Sequence, residues 1–160
     1  MFIKGERVYL RPLTPSDVGE TWLSWLNDPV VLRYRGPKAF PSTLSDIHRY
    51  LGNQNGDLRL AVVTSESVDL AAAMAEWRKL GVDLAKVRAE WEKAGQERNH
   101  SHIGNITLGS INWVHRSAEL NIMLGTARGK GFGKDAICSL VNHAFSNMGL
   151  LRVWAESPNP

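Results

Sequence analysis

The chain has one cysteine, Cys138, in 160 residues. A lone thiol excludes an internal disulfide and any metal centre built from several cysteines, and it suits a reducing compartment such as the cytoplasm. Long hydrophobic runs are also missing. No stretch approaches the roughly eighteen apolar residues that span a bilayer, and Met1-Phe2-Ile3-Lys4-Gly5-Glu6 carries no apolar secretory segment. Neither charge sign dominates, with 19 basic against 16 acidic residues for a net +3. That surplus favours a small anionic ligand over nucleic acid, which requires a concentrated basic surface. What is present is globular composition, 43% hydrophobic and 22% charged, at a length that buries one core without staples. A single domain over residues 1–160 is expected.

Glu6 to Arg11 alternates apolar and polar residues and stops at Pro12, the pattern of a short strand. Thr14-Pro15-Ser16-Asp17 reads as the start of a helix whose apolar stripe is Trp22, Leu23, Trp25 and Leu26, ended by Asn27-Asp28-Pro29. Ser42 to Leu51 predicts a second helix and Leu58 to Thr64 a strand after the Asn55-Gly56-Asp57 turn. Further on, Ile103 to Trp113 and Ala118 to Leu124 predict strands joined at His115-Arg116-Ser117. Leu120, Ile122 and Leu124 share one face of the second, and Glu119, Asn121 and Met123 the other. Lys134 to Met148 predicts a helix and Leu151 to Ala155 a last strand.

Residues 68–95 break this rhythm. The pattern V-D-L-A-x-x-x-A-E-W-x-K-x-G runs twice in tandem, from Val68 to Gly81 and from Val82 to Gly95. Each copy has a cap candidate (Asp69, Asp83) and a closing glycine, so an inserted helical hairpin is expected. One long helix interrupted at Gly81 is the alternative. Trp77 and Trp91 on recurring faces need a surface to cover, either this domain's sheet or a second copy of the chain in a homodimer.

Arg128-Gly129-Lys130-Gly131-Phe132-Gly133-Lys134 lies between a strand and a helix. Glycines allow close approach of the backbone to a ligand, and the first turn of the helix offers unpaired N–H groups at a positive dipole end. With three basic side chains added, the loop is an anion cradle matched to phosphate or pyrophosphate. It is not a nucleoside-triphosphate P-loop, because Asp135 and not Ser or Thr follows Lys134. Its G-x-G-x-G spacing is not the dinucleotide fingerprint either.

Arg128 to Gly133 matches the R/Q-x-x-G-x-G/A motif of the GCN5-related N-acetyltransferases, the GNAT superfamily. Val8-Tyr9-Leu10-Arg11-Pro12-Leu13, Trp25-Leu26-Asn27-Asp28-Pro29 and Ile111 to Leu120 are similar to the branch that acetylates ribosomal-protein N-termini, polyamines and nucleotide-linked amino sugars. The resemblance covers residues 1–65 and 99–160. It implies an α/β (α+β) fold, a mixed and mostly antiparallel sheet flanked by helices, with the helical repeat inserted between the second and third strands. It implies acetyl-CoA as co-substrate and no metal, with the pyrophosphate on the N–H groups of Arg128, Gly129, Lys130, Gly131, Phe132, Gly133 and Lys134. Backbone groups of Ile122, Met123 and Leu124 would receive the pantetheine arm as an added strand, and Asn159 would lie near it.

The resemblance also implies an acid at Glu119, which would serve as general base toward a primary amine. The competing reading is a solvent-facing strand carboxylate paired with Arg116. His115 reads as an exposed turn residue, His100 and His102 as part of a polar linker, Cys138 as a small core residue, and Trp22, Trp25, Tyr34 and Trp113 as core positions that would also suit stacking near an acceptor. Relatives continue past the Ser157-Pro158-Asn159-Pro160 position into a helix and closing strands, so the C-terminal part of the fold is expected to be missing. Two functions follow as expectations. One is N-acetyl transfer to an amino-sugar nucleotide or protein N-terminus, with polyamines third. The other is a catalytically impaired acyl-CoA-binding or dimerising module that uses the helical insert.

Overall fold

The computed structural model describes residues 1–33, 40–53, 55–64, 83, 85, 86, 89, 101–125 and 127–156. The elements are β1 (Ile3–Lys4), β2 (Val8–Pro12), a 3-10 turn (Pro15–Asp17), α1 (Glu20–Asn27), α2 (Pro29–Arg33), α3 (Leu44–Gly52), β3 (Leu58–Thr64), β4 (Ser101–Asn112), β5 (Ser117–Leu124), α4 (Phe132–Ser146) and β6 (Arg152–Trp154). They build one six-stranded sheet in chain order, β1-β2-β3-β4-β5-β6. Every neighbouring pair is antiparallel except β5 and β6, which run parallel across the α4 crossover. The expected mixed α/β fold is therefore present.

Strand alternation divides the apolar residues between the two sheet faces. On one face Val8, Leu10, Leu60, Val62, Ile106, Leu108 and Leu120 pack with Phe132, Ala136, Leu140 and Ala144 of α4. These four recur at every fourth helical position and so form a single stripe. On the other face Trp22 and Trp25 of α1 and Ile47 of α3 form a second cluster, with Met123 of β5 against it. Helix starts follow their sequence signals. Thr43 and Asp46 make a capping box for α3, and Gly131, at φ +86°, turns the chain into α4.

The structure moves several expected boundaries. The segment from Thr14 does not enter a long helix: Pro15–Asp17 is a separate 3-10 turn, and α1 begins only after Gly19. Pro29 ends α1 as expected, but it also starts α2, where a fixed φ and a missing N–H carry no penalty. β1 and α2 are too short to show any periodicity. β4 begins at Ser101, so His102 is a strand residue and not part of a polar linker. Cys138 is exposed, contrary to the expectation of a core thiol. It sits midway between Ala136 and Leu140, and two steps of about 100° turn it away from the buried stripe. The helical repeat falls almost wholly outside the described residues. Of its features only Asp83 is described as a cap, accepting from the amides of Ala85 and Lys86 at 3.1 and 3.3 Å.

Candidate active site

β5 and β6 are joined by only three residue pairs, Ser117 with Arg152, Ala118 with Val153, and Glu119 with Trp154. Beyond Glu119, β5 continues to Leu124 with β4 on one side and, among the described residues, no strand along the other. Alternate residues of that open edge direct main-chain N–H and C=O groups into the gap. Glu119 is half-buried at the point where the strands part, on the sheet face it shares with Met123. Arg116 does not neutralise it: that side chain donates through Nε to the Gly149 carbonyl at 2.6 Å, while the Arg116 carbonyl accepts from Leu151 and Arg152. Among the described residues Glu119 forms no ion pair.

The glycine loop follows β5 directly. Gly133 packs so closely on the strand that a Cβ there would lie 3.1 Å from Leu124 Cδ1. This seats the start of α4 over the end of the open edge. The first intrahelical hydrogen bond runs from Asp135 to the Gly131 carbonyl. The amides of Phe132, Gly133 and Lys134 precede it and have no acceptor among the described residues, so they form a set of donors at the positive end of a 15-residue helix. Ala127, Gly129 and Gly131 all have positive φ, which curls the loop around this point. Lys130 and Lys134 are exposed. These groups fit a diphosphate, and the open edge fits an extended arm added beside a strand.

The loop is braced on both flanks. Arg7 donates to the Lys130 carbonyl and stacks over Phe132, 4.4 Å from the ring centre. Asp135 accepts from the amides of Glu6, Arg7 and Val8 at 3.1, 2.8 and 2.9 Å, pinning the β1–β2 turn to α4. Burial opposes ionisation of Asp135, but those three amides outweigh it and hold the carboxyl below its ordinary range. On the opposite flank Arg128 is paired with Asp28. The three basic side chains expected at the cradle are thus reduced to Lys130 and Lys134, Arg128 having its own carboxylate.

Ile122 and Leu124 are half-buried on the α4 face, Met123 faces α1, and Gly129 to Lys134 form the cradle. Asn159, like Tyr34 and His100, lies outside the described residues. Trp22 and Trp25 are sealed in the core, which removes them as stacking platforms, whereas Trp113 is 61% exposed beside Val114 at the tip of the β4–β5 turn. Sequence reasoning missed Asp28, Arg7 and Gly125. The sequence presents Asp28 as a helix stop within a segment of family resemblance, and Asp135 as the residue that disqualifies a P-loop.

A buried polar chain lies beside this site. Arg11 forms two hydrogen bonds to Asp17, at 2.8 and 2.6 Å. His102 faces Asp17 at 3.7 Å through Nδ1, and its Nε2 meets the Asn105 amide at 2.9 Å. Turned so that its nitrogen donates to His102, Asn105 also accepts from Trp22 Nε1 at 3.0 Å. With its side chain 16% exposed and its ring so engaged, His102 is a structural residue.

The acetyltransferase (GNAT) domain profile matches residues 7–158. No curated protein matches the chain. Among solved structures, spermidine N-acetyltransferase of Vibrio cholerae, in complex with CoA and spermine, is 19% identical at a TM-score of 0.60, over 93% of this chain and 70% of that one. An acetyltransferase (GNAT family) of Bacillus anthracis is 18% identical at a TM-score of 0.61, over 97% and 72%. A domain from Methanocaldococcus jannaschii reaches 0.65 at 14% identity, over 94% and 77%. At these identities the structures report a shared fold, and the profile match over nearly the whole chain reports descent. The chain belongs to the GNAT acetyltransferase family.

Proposed function

We propose that the chain transfers the acetyl group of acetyl-CoA to a primary amine, with Glu119 as general base. The observation that carries this reading is the parting of β5 from β6 just past Glu119, with the donor-rich start of α4 at the mouth of the gap. The co-substrate supplies a thioester already activated for acyl transfer. The Phe132, Gly133 and Lys134 amides, with Lys130 and Lys134, would hold its diphosphate. The edge of Ile122 to Leu124 would orient the thioester and aim donors at the carbonyl oxygen as it gains charge.

The amine has to be neutral to react. An alkylammonium with a pKa of about 10.4 is less than one part in a thousand neutral at pH 7, so a positioned base gives a large advantage. As the nitrogen bonds to the acetyl carbon and the C–S bond breaks, one amine proton passes to Glu119, directly or through a water, and the departing thiolate takes up a proton. A carboxylate without a guanidinium partner is free for this exchange, which is why the absence of an Arg116 pair supports the role.

An amino-sugar nucleotide or a protein N-terminus is the favoured acceptor, and a polyamine, bound by the Vibrio cholerae enzyme named above, belongs in the same panel. Calorimetric titration with acetyl-CoA followed by thiol release against that panel tests the reading. Glu119→Gln is expected to lower turnover by about 10²- to 10⁴-fold, the usual worth of a general base, while acetyl-CoA affinity is retained. Thiol release from every amine staying at background despite tight binding would favour the acyl-CoA-binding module instead. An unchanged affinity in Gly131→Glu, which puts a carboxylate on the cradle at a positive-φ position, overturns both.

A further inference from the structure

The Trp25-Leu26-Asn27-Asp28-Pro29 segment has no part in the reaction just described, yet its side chains converge on the structure that flanks the glycine loop. Asp28, with its side chain 5% exposed, lies between α1 and α2. Its Oδ1 accepts from the Val30 amide at 2.8 Å and starts α2. Its Oδ2 pairs with Nη2 of Arg128. Arg128 also returns Nε and Nη2 to the Gly125 carbonyl at 3.2 and 3.1 Å, closing the loop on itself. Trp25 lies flat against Gly125, where a Cβ would overlap the indole. Asn27 exchanges two hydrogen bonds with the main chain of Ser42, at 2.7 and 3.0 Å, and ties the corner toward α3.

We propose that Asp28 is a positioning residue for coenzyme binding: it holds Arg128 as a strut that sets the glycine loop, and the Arg128 guanidinium is not the partner of the phosphates. The inference rests on the loop's role in holding acetyl-CoA. A solvent-excluded carboxylate cannot be left unpaired cheaply, so Asp28 retains Arg128. A guanidinium neutralised in this way adds little attraction for an anion, which leaves Lys130, Lys134 and the start of α4 to supply it. The fork of the guanidinium is what spans Asp28 and the Gly125 carbonyl together, a geometry that a lysine ammonium does not reproduce.

The test compares Asp28→Asn, which keeps the oxygen that caps α2 and removes the charge, with Arg128→Gln and the double variant. Acetyl-CoA is titrated over a salt series, and hydrogen exchange is followed on the coenzyme-free protein. Each single variant is expected to weaken acetyl-CoA about tenfold, an ordinary coupling between neighbouring sites. The double variant should be no weaker than either single one, with the wild-type salt dependence retained throughout and Arg128→Lys behaving like Arg128→Gln. In the free protein, Asp28→Asn should speed exchange at the Gly125 and Asp135 amides, the hydrogen-bonded ends of the loop, while Val62 and Ile106 stay protected. A direct phosphate ligand gives the opposite pattern: Arg128→Gln alone flattens the salt dependence, and Asp28→Asn, by releasing the guanidinium, tightens binding. That pattern, or unchanged loop exchange in Asp28→Asn, overturns the proposal. Wild-type protein that fails to bind acetyl-CoA would sink the coenzyme reading instead, and the exchange comparison would still decide whether the strut holds the loop.

Discussion

Gly125 and Gly129 are both glycines of the same loop, but they are glycine for different reasons. Gly125 lies under the buried Trp25 ring, where an added Cβ would collide with atoms that cannot retreat. Gly129 has open space around its Cα and a φ of +75°. Gly125→Ala is therefore expected to destabilise the protein by about 2–3 kcal/mol through overpacking. Gly129→Ala should cost about 1 kcal/mol of left-handed backbone strain. Urea denaturation midpoints for the two variants check the order, and equal losses would refute the packing argument. Single residues were also where sequence reasoning was weakest. Cys138 falls within the apolar pattern of its helix and so reads as a core residue, but its helical angle puts it in solvent. Arg128 reads in the sequence as an unpaired basic side chain because its partner, Asp28, lies 100 positions away in the chain.

At the scale of elements, β2 and the 3-10 turn are joined to β4 through the Arg11–Asp17–His102–Asn105 chain, and this joint should titrate. Burial holds the His102 imidazole below its ordinary value of 6.5, although Asp17 pulls the other way and Arg11 adds to the lowering. On acidification the unfolded chain binds this proton first. His102 therefore contributes its full stability above pH 6.5, and that contribution falls as the pH drops from 6.5 toward the folded value. Burial opposes the Asp17 charge, but Arg11, His102 and the Thr14 amide outweigh it and lower its pKa from 3.8, so its contribution is lost only below that value. Denaturation midpoints at pH 7.5, 6.5, 5.5, 4.5, 3.5 and 2.5 should decline first in the upper acid range. His102→Gln should flatten that first decline and leave the later one. An identical slope in the variant would remove His102 as its source.

Long, periodic elements were legible in the sequence. Leu58–Thr64 falls directly after the Asn55-Gly56-Asp57 turn signal that marks its start, and α4 follows its four-residue stripe within two positions at each end. The two-residue β1 and five-residue α2 were not legible, because neither is long enough for a period to show and tertiary pairing alone maintains them.

For the whole molecule, the glycine motif and its place after an alternating strand, with the family resemblance they carry, were enough to anticipate the mixed sheet flanked by helices. The braces around the cradle were not anticipated. Arg7, Asp28 and Asp135 each act across a hundred residues of chain or more, and a hydrogen-bond partner at that range leaves no local trace in a sequence.

The seam between β5 and β6 has a kinetic consequence. β2 to β5 are stitched by long antiparallel registers, whereas β6 is held by three parallel pairs that form only after α4 has crossed over the sheet. That crossover closes a long connection for only three residue pairs. The half of the cleft made by α4 and β6 is accordingly the last to assemble and the first to detach. A ligand that touches both margins then works as a fastener, and acetyl-CoA should slow amide exchange at Val153 and Trp154, which lie well away from its diphosphate. Protection confined to the glycine loop would show that the two margins open independently.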